Sequence, residues 1–345
     1  MNLDKLLRST VKNMKPYSSA RDEYKNLQAD MVFLDANENP FDTFLNRYPD
    51  PQQTHLKEII SKQNNVSTDQ ILLGNGSDEV LDLVFRAFCE PNQDSILTLP
   101  PTYGMYEVLA NLNAVENIQV PLSQEFQLEI DAIAAAIKPN TKLLFICSPN
   151  NPSGNTMNQS AIERLLNGFK GLVIIDEAYI DFTNELSWTH ALSTYPNLIV
   201  TQTLSKAYGL AGIRLGICYA SKEIISVLNK IKPPYNINSL TQMAAIKALE
   251  NREVVDTQIE TLLKERNSLI NAFKLVPFIT KIYPSEANFI LIKVDDANKR
   301  YDELIKNGVV VRNRSSQLHC DNCLRITVGT PYENTQLLTL LNSLK

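Results

Sequence analysis

The chain has 345 residues, 44% of them hydrophobic and 21% charged, with a formal net charge of −5. That length predicts roughly two domains. The acidic balance, with no basic tract, excludes the footprint of a nucleic-acid binder; the charged N-terminus lacks the apolar core of a signal peptide, and no apolar run could span a bilayer, so the sequence reads as cytoplasmic with no membrane partner. Taken in order, the middle of the chain alternates strand-like and helical patterns. "QILLGN" precedes "SDEVLDLVFRAF", whose Val80, Leu81, Val84, Phe85 and Phe88 recur at helical spacing. "SILTLPP" precedes "YGMYEVLANL", "KLLFICSP" precedes "QSAIERLLNGF", and "LVIIDEAYIDF" and "LIVTQTL" continue the series. This alternation predicts an α/β fold with a largely parallel sheet between helices and ligands at the carboxyl ends of its strands. The prolines of "IKPPYNIN" interrupt the pattern near residue 231, and a long helical segment follows. The strands "NFILIKV", "GVVVRN" and "CLRITVGT", with helices between them, form a smaller α+β module. The N-terminal residues are too few to fold alone and are expected to join it, giving a large domain over 42–240 and a small one from 1–41 and 241–345.

Four features fall where the predicted strands end. "GNGSDE" opens a helix, so Ser77 and Asp78 sit where exposed N–H groups could hold a phosphate. A Rossmann fingerprint would need glycine at Glu79. The prolines of "SPNNPSG" fix a loop that presents Asn150 and Asn151. Asp176 follows a buried strand and could cap a helix, bind magnesium or pair with a ligand cation. No Walker A motif accompanies it, and a pyridinium nitrogen suits it better. Tyr179 can reach the same pocket. Finally, Lys206 stands among Ser205, Ala207 and Tyr208, with Arg214 further on. It is either a surface lysine that snorkels to water or a desolvated amine poised to form a Schiff base. An acid for a pyridinium, a lysine for an aldehyde and a phosphate cradle together describe pyridoxal 5′-phosphate.

The five cysteines imply free thiols, and Cys320-x-x-Cys323 with His319 lacks the further ligands that zinc requires, so no metal is expected.

The motifs "LDANENP", "RYPD", "GNGSDE", "PPTYGMY", "CSPNNPSG", "DEAYIDF", "TLSKAYGLAGIRLG" and "CLRITVG" resemble, in this order, the histidinol-phosphate aminotransferases among the class I/II aminotransferases of pyridoxal-phosphate fold type I. The similarity runs from about Tyr17 to Gly329. It implies a large domain with a mostly parallel seven-stranded sheet, a smaller α+β domain and transamination between L-histidinol phosphate and 2-oxoglutarate, giving imidazole-acetol phosphate and glutamate in histidine biosynthesis. Carried over by position, Lys206 resembles the Schiff-base lysine and proton shuttle, and Asp176 the partner of the pyridine nitrogen. Tyr179 and Asn151 resemble the pair on the cofactor's phenolic oxygen, and Tyr103 the aromatic stacked on its ring. The backbone at Ser77 and Asp78, the Ser205 hydroxyl and Arg214 resemble the phosphate cradle. Tyr17, Asn151, Arg312 and Arg325 resemble the substrate contacts. Arg314 competes with Arg312 because it lies two residues along the same face of an extended strand. The resemblance further implies a homodimer in which Tyr48 reaches the partner's cofactor phosphate. Rival readings are an aromatic-amino-acid aminotransferase, a pyridoxal-phosphate decarboxylase of a phosphorylated amino acid, and a cofactor-binding regulator.

Overall fold

In the strands of the larger sheet almost every residue is buried, which a strand can sustain only when helices cover both faces of its sheet. The computed structural model describes residues 2–17 and 31–344. In chain order its helices are α1 (Ser9–Asn13), α2 (Thr54–Asn64), α3 (Gly76–Phe88), α4 (Met105–Leu112), α5 (Ile130–Ala136), α6 (Gln159–Gly168), α7 (Lys222–Ile231), α8 (Ser239–Glu250), α9 (Arg252–Phe273), α10 (Ala297–Lys306) and α11 (Pro331–Ser343). The strands are β1 (Ile71–Asn75), β2 (Ser95–Thr98), β3 (Glu116–Gln119), β4 (Thr141–Cys147), β5 (Leu172–Asp176), β6 (Leu198–Thr203), β7 (Leu215–Ala220), β8 (Ile279–Ile282), β9 (Phe289–Val294), β10 (Arg312–Asn313) and β11 (Cys323–Thr327).

The first seven strands form one sheet in the order β1-β7-β6-β5-β4-β2-β3. It is parallel except at β7, which runs antiparallel to β1 and β6. Successive strand residues face opposite sides. Leu73, Leu144, Val173 and Val200 pack on one face with α2, α6 and α8. Leu72, Leu143, Phe145, Ile174 and Ile199 pack on the other with α3, α4 and α7. Edge strand β3, half-exposed and reading "ENIQ", has too little apolar signal to be predicted.

The remaining four strands form an antiparallel sheet, β10-β11-β9-β8, whose own core is closed by α9, α10 and α11. The strand predicted across "GVVVRN" shrinks to Arg312–Asn313, and β8 was not foreseen because "ITKI" is only half-buried.

The N-terminal segment lies elsewhere than expected. Leu3, Leu6 and Leu7 pack against the core of the large sheet's α3 face. Arg8 N donates to Ala87 O at 3.0 Å, and Lys230 Nζ to Val11 O at 2.6 Å. Residues 2–13 therefore belong with the large layer rather than the small sheet, because their leucines complete a groove beside α3 and α7. Among the described residues, no helix is long and apolar enough to cross a membrane.

Candidate active site

The carboxyl ends of β1, β4, β5 and β6 meet the start of β7 around a cleft. Ser77, Asp78, Tyr103, Asn151, Asp176, Tyr179, Ser205, Lys206 and Arg214 all line it. These are the nine residues singled out from sequence for the cofactor within one chain.

On one side of the cleft, the first turn of α3 meets Arg214. Gly76 has a φ of +74°, and a side chain there would meet the Arg214 guanidinium, with Nη2 at 2.7 Å. The Gly76 N–H donates to Arg214 O at 2.8 Å, and Arg214 itself has a φ of 55°. A Cβ on Gly216 would lie 2.3 Å from both Gly76 C and Ser77 N. Two glycines thus let β7 press against the helix start, which brings a guanidinium to a helix N-terminus, a site suited to a phosphate. Arg214 Nη2 is 3.4 Å from Asp78 Oδ2, and Tyr103 Oη donates to Asp78 Oδ1 at 3.0 Å.

Asp176 ends the central strand β5, opposite Cys147 of β4 and Thr201 of β6, and is 2% exposed. Tyr106 Oη donates to its Oδ2 at 2.8 Å and Ala178 N to its Oδ1 at 3.2 Å. Burial raises its pKa above the usual carboxylate range, and the Tyr106 and Ala178 hydrogen bonds oppose that rise. Among the described residues it has no salt-bridge partner. A buried carboxylate held only by neutral donors calls for a cationic ligand.

Lys206 follows β6, with its Nζ 5.7 Å from the centre of the Tyr179 ring. Partial withdrawal from water lowers its pKa, and the charge of Arg325 lowers it further, while Asp176 acts in the opposite direction. A lowered pKa enlarges the neutral, nucleophilic fraction of an amine. Asn151 Nδ2 donates to Tyr179 Oη at 3.5 Å, and Arg325 donates to Asn151 Oδ1. Arg325 thereby ties the small sheet to the cleft. Burial, then the charge of Arg314, lowers its pKa to about 10.

The donor set fits pyridoxal phosphate. The cleft holds a cradle that a Cβ would fill, a buried acid without a cation, and an amine with a lowered pKa.

The remaining predicted residues stand apart. Tyr17 is 74% exposed, and Tyr48 is 51% exposed and stacks on Tyr235 at 4.5 Å between ring centres. Neither lines the cleft. Arg312 is exposed and lies directly opposite Arg325 in the ladder, while Arg314 is half-buried. Sequence reasoning missed Cys147, Thr203 and above all Tyr106. The last carried a signal, since "YGMY" puts a second tyrosine three residues after Tyr103, in the first turn of α4. The cysteines are all buried free thiols, and no group of three potential ligands for a metal occurs among the described residues.

The sequence pattern of the family described as aminotransferase class I and II matches residues 23–341. The chain is 59% identical over 343 residues to the histidinol-phosphate aminotransferase of Flavobacterium psychrophilum, covering 99% of both chains. It is 57% identical over 344 residues to that of Flavobacterium johnsoniae, again covering 99% of each. Among solved structures, the histidinol-phosphate aminotransferase of Clostridium acetobutylicum superposes with a TM-score of 0.79 at 28% identity, over 86% of this chain and 90% of that one. The strand-end cleft, the fold and these likenesses agree, and the chain belongs to the class I and II aminotransferases.

Proposed function

We propose that this chain is a pyridoxal-phosphate-dependent aminotransferase that exchanges an amino group between L-histidinol phosphate and 2-oxoglutarate, as a step of histidine biosynthesis. The observation that carries the chemistry is the convergence of Lys206, Asp176, the Asn151–Tyr179 pair and the Arg214 cradle on one cleft. The choice of substrate rests on near full-length likeness to enzymes named for histidinol phosphate. When bound, pyridoxal phosphate supplies an aldehyde that captures the amino group and a ring that accepts electron density from the substrate's Cα.

The residues of the chain do the rest. Ser77 and Asp78 N–H groups, the Ser205 hydroxyl and Arg214 bind the phosphate. Asp176 would accept a hydrogen bond from the ring N–H and keep the proton there. Tyr179 and Asn151 hydrogen-bond the phenolic oxygen, and Tyr103 covers the ring. Lys206 would hold the cofactor's aldehyde and, once displaced by the substrate's amine, would take up and return the proton of the substrate's Cα. Arg325 grips the anionic group of either substrate, with Tyr17 and Arg312 completing the contacts to the phosphate of histidinol phosphate.

The dimer belongs to the same proposal. Val32, Leu34, Phe41, Phe44 and Tyr48 are exposed apolar side chains within one segment, as an interface would present them. Tyr48 then serves the partner's phosphate, and the enzyme works in the cytoplasm. Separate half-reactions of the holoenzyme with histidinol phosphate, glutamate and phenylalanine test the reading. A kcat/KM that favours histidinol phosphate over phenylalanine is expected; a preference for phenylalanine would make the chain an aromatic aminotransferase instead.

A further inference from the structure

Two tyrosines, one just before α4 and one in its first turn, stand at and behind the wall of the cleft. Tyr103 touches Asp78 at the cradle, and Tyr106, one turn later and 1% exposed, donates to Asp176 at 2.8 Å. The Tyr106 ring stacks on Phe145 at 4.9 Å and meets Tyr103 edge-on at 5.6 Å. That packing fixes the hydroxyl's direction, and Tyr106 does not itself line the cleft. On the pyridoxal-phosphate reading above, we infer that Tyr106 is a positioning residue that holds Asp176 as an ionised acceptor, so that the proton shared with the cofactor's ring nitrogen stays on nitrogen.

The physical case is a competition between two arrangements of one proton. In a buried site the neutral pair, with a protonated carboxyl facing an unprotonated ring, is favoured over the ion pair by the cost of burying charge. A neutral donor to the carboxylate stabilises only its ionised form and so favours the ion pair. Tyr106 is such a donor, because burial and the charge of Asp176 raise its pKa well above the ordinary value, so it does not surrender its own proton. The Ala178 N–H donates to the same carboxylate over a longer distance, 3.2 Å, and the Thr201 side chain also favours its ionised form, though less than Tyr106 does. Deleting the Tyr106 hydroxyl therefore removes the strongest of these contacts while leaving the ring to fill its space.

The test uses the Tyr106→Phe holoenzyme reconstituted with ring-15N-labelled pyridoxal phosphate. In the wild type, the 15N resonance should report a protonated ring nitrogen; in the variant it should move toward the unprotonated value, with cofactor affinity weaker by roughly tenfold. Phe145→Leu, which disturbs the same packing but keeps the hydroxyl, should leave the resonance in place. An unchanged resonance in Tyr106→Phe would overturn the inference, as would an equal shift in Phe145→Leu. Failure of the wild type to bind pyridoxal phosphate at all would instead defeat the reading on which the inference rests.

Discussion

The cofactor side and the substrate side of the cleft differ in how they are held. Asp176, Tyr179, Asn151 and Lys206 stand on or just beyond β4, β5 and β6, strands whose residues are almost all buried between two layers of helices. Tyr17 and Arg312, proposed for the substrate, instead come from an N-terminal segment and a two-residue edge strand and are exposed, as is Tyr48, proposed for the partner's cofactor phosphate, in a proline-bracketed loop. From the small sheet, Arg325 reaches the cleft through Asn151, and Phe289 meets the Tyr179 ring edge-on at 5.1 Å. The comparison teaches a division of labour. On the proposed roles, the groups that one chain brings to the cofactor sit on a rigid sheet, and the groups that choose among substrates or reach a partner subunit sit on exposed segments.

If that division holds, changes on the cofactor side should abolish activity with every substrate, and changes on the substrate side should be graded and selective. The largest effect belongs to Lys206→Ala. Transamination should fall at least about a thousandfold with both histidinol phosphate and glutamate, because the proton shuttle is lost, while pyridoxal phosphate still binds. Single-turnover absorbance with each substrate measures it; a loss confined to one substrate would blur the comparison. Asp176→Asn comes next, slowing both half-reactions by about a hundredfold as a preorganised charge is lost.

Arg312→Ala should sharpen the contrast. We expect kcat/KM for histidinol phosphate to drop about tenfold, the worth of one charge-assisted hydrogen bond, with glutamate nearly spared. Equal losses would remove its selective role, and a selective loss in Arg314→Ala would pass that role to Arg314. Arg325→Gln addresses the electrostatic link between the halves. Removing the cation that lowers the Lys206 pKa should raise that pKa, so acylation of the amine in cofactor-free protein should require higher pH. An unmoved profile would separate the two sides.

The smallest effect is expected from Tyr48→Phe, which should weaken pyridoxal phosphate by up to about tenfold. Its origin in the partner subunit is read by mixing Lys206→Ala with Tyr48→Ala. Hybrid dimers place both lesions in one site and neither in the other, so activity should partly return. No recovery despite subunit exchange would put Tyr48 outside the partner's site.

How much of this was legible in the sequence follows the same division. The buried strands announce themselves as apolar runs ending in Asn75, Cys147, Asp176 and Thr203, and chemistry at strand ends is where an α/β sheet places it. Hence Ser77, Asp78, Asn151, Asp176, Tyr179, Lys206 and Arg214 could be singled out from the strand ends, while Tyr103 and Ser205 were named through the family resemblance. Strands β3 and β8 were invisible because half-exposed strands such as "ENIQ" and "ITKI" carry little periodic signal. The destination of residues 2–13 was misjudged because three leucines announce burial without naming the surface that receives them. Tyr106 was passed over for a related reason. On an apolar helix face a tyrosine looks like packing, and only the position of its hydroxyl against Asp176 distinguishes it.

The central claim is that Lys206 is the residue that carries pyridoxal phosphate in this cleft. Borohydride reduction of the holoenzyme followed by peptide mapping tests it most directly. The account predicts a single pyridoxyl-phosphate label on Lys206, with loss of the visible absorbance and of activity in step. A label on any other lysine, or no label on protein that retains activity, would contradict it.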